Sequence, residues 1–456
     1  MKYLTMGNFI TKEFPPVSAA AWKQKIQADL KGADYNETLL TKTHEGITIK
    51  PFYHADEFEK LNIPLSKEDF KICQKIVVSD EVETNSKAVD ATNKGANALK
   101  FVAKKPFNAA LLFKNLLGKK IEFHFEFEFL SETFIEELAI LLKNETVFYN
   151  IDIIGRLART GNWHKSLNDD FKLLEAIVKK NPGSFIIGVN ADIYQNAGAN
   201  NVQQVAYALA VANEYLTRFG AEISQKIQFN FAVGNNYFFE ISKIRAFKYV
   251  YNLMLSQYET EANAQIFAEP SLRNKTIYDY NVNLLRTTTE SMSAILGGAN
   301  TISNCAYDAL FHDSNDFGDR IARNQLLILK EESYFKHGQQ IATNSYYIES
   351  ITKQIAEKAL DIFKEIEKGG GFLSQLKEGI VQRKIKENAQ KEQMQFDAGE
   401  LVLLGTNKYP NAQDKMKEDL QANPFVARNP QKTLIIPIIP TRLAEKLEQK
   451  RLKDEA

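Results

Sequence analysis

The sequence predicts an α/β protein, a (β/α)8 TIM-type barrel with an N-terminal extended arm and a helical C-terminal tail. Three observations predict it. Between residues 95 and 345, short apolar runs alternate with helix-period segments about eight times, the rhythm of a barrel in which each strand hands over to a helix. No G-x-G-x-x-G follows any of these runs, which weakens the dinucleotide-binding version of the open, doubly wound sheet, the structural alternative with a similar rhythm. The 456 residues, 44% hydrophobic and 25% charged, suffice to bury a large core without covalent staples.

Residues 1–60 read as an arm that contacts another subunit. Ser18 is placed to cap a helix carrying Trp22, Ile26 and Leu30 on one face, and Gly32 suits its stop. EGITIKPFY (Glu45–Tyr53) then alternates through Ile47 and Ile49 and turns at Pro51. A lone helix and a short strand bury too little to stand alone, so they are expected to lie on the main body or on another chain.

Residues 61–372 read as the barrel. The expected strands are ALKFVA (98–103), KIEFHFEFEFL (120–130), VFYNIDII (147–154), SFIIGVNA (184–191), IQFNFAVG (227–234), AQIFAEP (264–270), NTISNCA (300–306) and GQQIATN (338–344). Helical segments such as VQQVAYALAVANEYLTRFG (202–220) and ARNQLLILKEESYF (322–335) lie between them. In KIEFHFEFEFL, Ile121, Phe123, Phe125, Phe127 and Phe129 alternate strictly with polar residues. That suits a strand with one polar or solvated face, and predicts an edge position or a local opening of the barrel. Residues 373–456 read as a charged, helical and irregular extension with prolines at 410, 424 and 430.

The 57 basic and 57 acidic side chains cancel, so nothing draws the chain to nucleic acid or to an anionic membrane. The cysteines are Cys73 and Cys305, far apart and outside any C-x-x-C, which fits a reducing cytosol better than a disulfide framework or a cysteine-rich zinc site. No secretory leader and no span of about 18 apolar residues appears, and a cytoplasmic location is expected.

Side chains that could carry chemistry are sparse. The histidines (44, 54, 124, 164, 312 and 337) show no metal-ligand spacing, and no metal site is expected. There is no G-x-S-x-G elbow and no Walker sequence. The neighbouring carboxylates Glu331–Glu332 and Asp169–Asp170 point in different directions on a helix and read as solvated faces. In NNYFFEISKIRAFKYVYNL, Phe239, Phe247 and Tyr251 read as core, and Arg245 as a partner of Glu240 or of a neighbouring element rather than of a phosphate. In RTTTESMSAILGGANTISNCAYDAL (Arg286–Leu310), Thr287 and Glu290 fit capping-box spacing, Met292, Ile295 and Leu296 a buried stripe, and Gly297–Gly298 a helix stop. Asn300, Ser303 and Asn304 follow, where an enzyme of this architecture presents polar groups.

That last stretch closely resembles the barrel segment of methylmalonyl-CoA mutases, where an R-T-T-x-E helix runs into L-G-G and a strand. Further blocks resemble the family in the same order: FPPVSAAAWKQKIQADLKG (14–32), EGITIKPFY (45–53), QNAGANNVQQVAYALAVANEYL (195–216), NNYFFEISKIRAFKYVY (235–251), ARNQLLILKEES (322–333), NSYYIESIT (344–352) and IEKGGGF (366–372). They cover the chain from about residue 14 to 372.

The departures from the family pattern fall on its chemistry. Ile193, in ADIYQNAGA, stands where catalytic chains carry a histidine two residues before the glutamine. An isoleucine can neither hydrogen-bond a thioester carbonyl nor exchange a proton. Ser303 stands at a further family histidine, and Ala342-Thr343-Asn344 replace a tryptophan-glycine-glycine. The substrate-gripping R-Q-Y-x-G-F-x-T motif is not found after the arm, nor is the D-x-H-x-x-G that supplies a histidine to cobalt. PTRLAEKLEQKR resembles the linker leading into the cobalamin domain.

The resemblance therefore implies the small, non-catalytic subunit of a heterodimeric mutase, with no catalytic, cofactor-binding or metal residue of its own. Its implied partner is a homologous catalytic large subunit, which binds adenosylcobalamin and the acyl-CoA and interconverts succinyl-CoA and methylmalonyl-CoA. The arm, 14–53, is expected to wrap that partner. The alternatives are a catalytic acyl-CoA mutase subunit whose cobalamin domain is a separate chain, and a module that retains acyl-CoA without chemistry.

Overall fold

The computed structural model describes residues 16–66, 68–181, 183–425 and 431–455. The first two residues of the arm block, Phe14 and Pro15, and Pro430 of the tail lie outside them.

Eight parallel strands close into a barrel: β1 (Lys71–Val77), β2 (Ala98–Ala103), β3 (Glu122–Phe127), β4 (Thr146–Ile151), β5 (Phe185–Asn190), β6 (Ile227–Val233), β7 (Gln265–Pro270) and β8 (Thr301–Ser303). The short β8 completes the ring, pairing Thr301 with Lys71 of β1 and with Phe267 of β7. Closure removes every sheet edge, which is how an all-parallel sheet satisfies its backbone groups.

Seven of the eight expected strands are present; the eighth is elsewhere. GQQIATN is not a strand: Gly338–Ile341 form a helical turn. The missing strand is KICQKIV, β1, in a stretch whose lysines hide its apolar alternation. Ile72, Gln74 and Ile76 face the helices, with Gln74 accepting from Arg323 at 2.8 Å, so Lys71, Cys73 and Lys75 fall on the lumen side. The expected edge position of KIEFHFEFEFL is also wrong. β3 is paired on both sides, to β2 and β4. Its polar face is the inside of the barrel: Phe123 and Phe125 pack outward on Phe113, while Glu122, His124 and Glu126 enter the lumen.

Each strand leads into its helices. Using α1 for the arm helix Ala19–Asp29, the barrel helices are α2 (Glu81–Asn93), α3 (Ala109–Leu112), α4 (Glu132–Leu141), α5 (Ile153–Thr160), α6 (Leu167–Lys180), α7 (Asp192–Asn196), α8 (Asn201–Phe219), α9 (Tyr237–Gln257), α10 (Val282–Gly297) and α11 (Asp316–Leu327). Asn200 and Gln203 form a reciprocal capping box that starts α8. The box expected at Thr287 and Glu290 does not form, because α10 begins at Val282 and both residues lie within it. Glu290 instead accepts from Asn274 at 2.7 Å and pairs with Lys275 at 2.7 Å, all three buried. Gly298, at φ 93°, ends α10 as expected; Ile295 and Leu296 are buried, and Met292 is half-buried.

Beyond the barrel, α12 (Tyr346–Lys368) packs across α8 and α9. Arg245 of α9 pairs with Glu349 of α12 at 2.5 Å, both buried, and Glu240 is taken by Lys243. Phe239, Phe247 and Tyr251 are core, as their spacing predicts. The tail contributes α13 (Ile380–Asp397), an irregular passage, a further irregular segment from Leu434 to Leu443, and α14 (Glu445–Asp454). Among the described residues, no helix is long and apolar enough to cross a membrane.

In the arm, Ser18 caps α1 as read, accepting from Ala21 at 3.2 Å. Residues 41–59 lie on this chain's own α12, where Gln354 accepts from the Thr48 amide at 3.2 Å. The apolar face of α1 is another matter. Trp22 meets the edge of Phe52 but remains 48% exposed, and Val17, just before the helix, is exposed as well.

Candidate functional site, a barrel with a filled lumen

Barrels of this kind present their chemistry at the C-terminal ends of the strands, so the lumen and that mouth decide what the chain can do. The lumen is packed with side chains. His124 of β3 stacks on Phe148 of β4 at 4.4 Å and meets Phe267 of β7 at 5.0 Å; Phe148 stacks in turn on Phe185 of β5 at 4.5 Å. Three rings and an imidazole thus lie across the axis near the N-terminal end. A groove of about 540 Å³ opens outside them, lined by Lys71, Glu122, Phe148, Phe185 and Gln265. Burial keeps His124 more acidic than a free histidine and so neutral, with Nδ1 3.0 Å from Gln228.

Above the rings runs a ladder of amides. Gln228 donates to Asn230 at 2.7 Å, and Asn230 donates to Asn150 at 2.6 Å and to Asn190 at 2.8 Å. Gly188 makes room for this ladder: a Cβ there would lie 1.9 Å from the Asn150 Oδ1. The ladder ends on Asp152, which accepts from the Asn190 amide at 2.9 Å, from Tyr215 at 2.8 Å and from the Gly155 amide at the start of α5 at 2.7 Å. Burial of polar groups is tolerated here because the partners satisfy one another.

At the mouth the side chains become ionic. The Lys100 ammonium lies 3.1 Å from Glu126 and 3.3 Å from Glu269. Lys75 approaches Glu269 at 3.7 Å, and Arg159 approaches Glu126 at 3.4 Å. Burial disfavours the Lys100 charge, but Glu269 and Glu126 outweigh it and hold the ammonium above the usual lysine range. Reciprocally, Lys100 holds the Glu126 carboxyl far below the usual range. Asp192 is the exception. Burial pushes its pKa up to about 6, and its Oδ1 is sealed from solvent without a hydrogen-bond partner.

Two small cavities remain at this end, of about 50 and 260 Å³. Ile193, on α7, lines both; Ser303, ending β8, lines the larger, its buried Oγ without a partner. The two positions singled out in the sequence therefore share one cavity. Asn304 faces α11, donating to Gln325 at 2.9 Å, and Asn300 holds the Ile266 amide at 2.9 Å. Ala342 sits apart, in an apolar cluster with Ile241, Leu296 and Ile348 outside the barrel. His164 lines the smaller cavity, and burial beside Arg156 and Arg159 brings its pKa down to about 4. Among the described residues, no group of three or more metal-ligating side chains is assembled.

Lys100, Glu126, Asp192 and Glu269 were not identified from the sequence. For Lys100, Glu126 and Glu269 the signal is a charged residue on one alternate face of an otherwise apolar strand, as in ALKFVA, EFHFEF and QIFAEP; Asp192, at the start of α7, carries no such signal. Period-two polarity means water for an open sheet but the lumen for a closed barrel.

Comparison with known proteins places these features. The family model described as methylmalonyl-CoA mutase matches residues 136–451. The methylmalonyl-CoA mutase small subunit of Porphyromonas gingivalis is 34% identical over 446 residues, covering 88% of this chain and 71% of that protein. Methylmalonyl-CoA mutase of Cereibacter sphaeroides is 32% identical over 270 residues, 57% of this chain and 38% of that protein. The Escherichia coli mutase is 32% identical over 245 residues, 52% of this chain and 34% of that protein. The match to these two mutases thus spans well under half of their length.

Proposed function

We propose that this chain, which belongs to the methylmalonyl-CoA mutase family, is the non-catalytic small subunit of a two-subunit mutase. In this reading a homologous large subunit binds the acyl-CoA and adenosylcobalamin and interconverts succinyl-CoA and methylmalonyl-CoA in the cytoplasm. The observation that carries the reading is the mouth: Ile193 and Ser303 share its larger cavity, beside Lys100, Glu126 and Glu269, whose charges are spent on one another. Ile193 supports the same conclusion, since it offers no proton and no hydrogen bond to the mouth.

The residues at the mouth do not fit adenosylcobalamin. The cavities there, about 50 and 260 Å³, fall short of the roughly 300–1,000 Å³ that bury even a drug-sized ligand. No step is therefore assigned to this chain through that cofactor, and any radical chemistry belongs to the partner.

What the chain offers a partner is surface. Trp22 on α1, and Val17 just before it, are large apolar side chains that this chain leaves exposed. Aromatic residues of this kind anchor protein interfaces. We assign the start of the arm, around Val17 and Trp22, as the part that meets the large subunit; residues 41–53, which lie on this chain's own α12, tie it to a scaffold formed by the degenerate barrel.

Co-expression tests the reading. A tagged chain should retain the homologous large subunit, and disabling that subunit's acid–base histidine should abolish all turnover of the complex. Residual turnover at a second site, sensitive to changes at the mouth of this chain, would overturn it.

A further inference from the structure

The irregular segment Leu434–Leu443 lies at the C-terminal mouth and is hydrogen-bonded to the segments that follow three strands, β4, β5 and β7. The Leu434 and Ile435 amides donate to Gly161 O at 3.0 and 3.2 Å, and the Ile438 amide to Ala158 O at 2.7 Å, all at the end of α5. The Thr441 amide donates to Asn196 O of α7 at 2.9 Å, and the Leu443 amide to Arg273 O, beyond β7, at 3.0 Å. Ile435 and Ile438 turn inward and are buried; Ile438 and Pro440 roof the cavity that holds Ile193 and Ser303. Gly161 is fitted to this approach, because a Cβ there would lie 2.7 Å from the Ile435 carbonyl oxygen.

The end of the segment is locked. Arg442 pairs with Glu448 of α14 at 2.6 Å, with side chains 6% and 0% exposed. Arg442 also donates to Lys275 O at 3.1 Å, and Glu448 accepts from the Ile277 amide at 2.9 Å. Removing either charge leaves the other buried and unpaired, which makes the pair a stringent lock.

We propose that Leu434–Leu443 is an intrachain lid, held by the Arg442–Glu448 lock over the cavity that Ile193 and Ser303 share, so that this mouth offers no open face to a large cofactor. The mouth is thus shut twice over, by the lid above and by the ion cluster of Lys100, Glu126 and Glu269 below. The lid follows from packing alone and excludes a cofactor whichever chain would deliver it. It deepens the reading of the chain as non-catalytic without depending on the missing histidine.

Thiol labelling tests it. In a Cys305→Ser chain, Ile193→Cys places a thiol beneath the lid, while the buried Cys73 reports any global unfolding. With a bulky maleimide on the full chain, the thiol at position 193 should react slowly. Arg442→Ala, and the milder Ile438→Ala, should each speed labelling at least about tenfold while Cys73 stays silent, because local opening no longer has to break those contacts. Equal labelling rates with the lid intact and with either variant would overturn the proposal. Methylmalonyl-CoA turnover by the isolated chain would instead overturn the non-catalytic reading, so the two fail on different measurements.

Discussion

Lys100 and Glu126 stand 3.1 Å apart on neighbouring strands, at the C-terminal mouth of the barrel. Replacing Lys100 by Met leaves Glu126 and Glu269 facing each other without their shared cation. The expected cost is about 3–5 kcal/mol of stability, read by urea denaturation. A second replacement that neutralises Glu126 should recover part of that loss, and full additivity of the two losses would contradict the coupling.

The same pair sets an acid limit. Lys100 depresses the Glu126 pKa in the folded state, so this stabilisation is complete above the unfolded value of about 4.3 and is lost as pH falls through the folded value. Unfolding measured from pH 6 downward should therefore show steeper loss of stability in the wild-type chain than in a Lys100→Met, Glu126→Gln chain. Parallel curves would remove the linkage.

His312 acts in the opposite direction. Burial opposes its charge, but hydrogen bonds to Asp308 and Asp419, each at 3.2 Å, outweigh this and raise its pKa. Its contribution is present below the unfolded value of about 6.5 and fades as pH rises through the folded value. Asp419 belongs to the tail, so that loop should lose amide protection, taken relative to the intrinsic base-catalysed rate, above neutral pH, and His312→Asn should erase that loss.

Restoring the missing histidine should not restore chemistry. Ile193→His returns an imidazole to the mouth, yet Ile438 and Pro440 still roof its cavity, and Glu126 and Glu269 stay paired with Lys100 beside it. Steady-state assays of the variant, alone and in the complex, should show no gain in turnover. A gain would mean that the mouth admits substrate after all.

At the arm, Trp22→Ala should leave the isolated chain as stable as before, since that side chain is half exposed. Binding to the large subunit should weaken by about 2 kcal/mol or more if Trp22 is an interface anchor. Calorimetric titration reads this directly, and an unchanged affinity would move the interface elsewhere.

The barrel was legible in the sequence because seven strands carry their apolar residues in compact runs. β1 was not, since Lys71 and Lys75 break KICQKIV into what resembles a charged loop. GQQIATN was misread because a short run of this kind carries no period of its own. Ile193 and Ser303 were legible as positions, through the blocks around them, and they share a cavity. What surrounds them was not: Lys100, Glu126, Asp192 and Glu269 come from four separate segments, and only closure of the barrel brings them together. The lid over them, Leu434–Leu443, reads in the sequence as an irregular tail that runs, from Pro440 on, into a linker-like block.

The most direct measurement is turnover of methylmalonyl-CoA, in the presence of adenosylcobalamin, by the purified chain alone and then with its large subunit. The account predicts no turnover by the chain alone, and activity that appears only with the large subunit and stays unchanged by substitutions at Ile193 or Ser303. Turnover by the chain alone would contradict it.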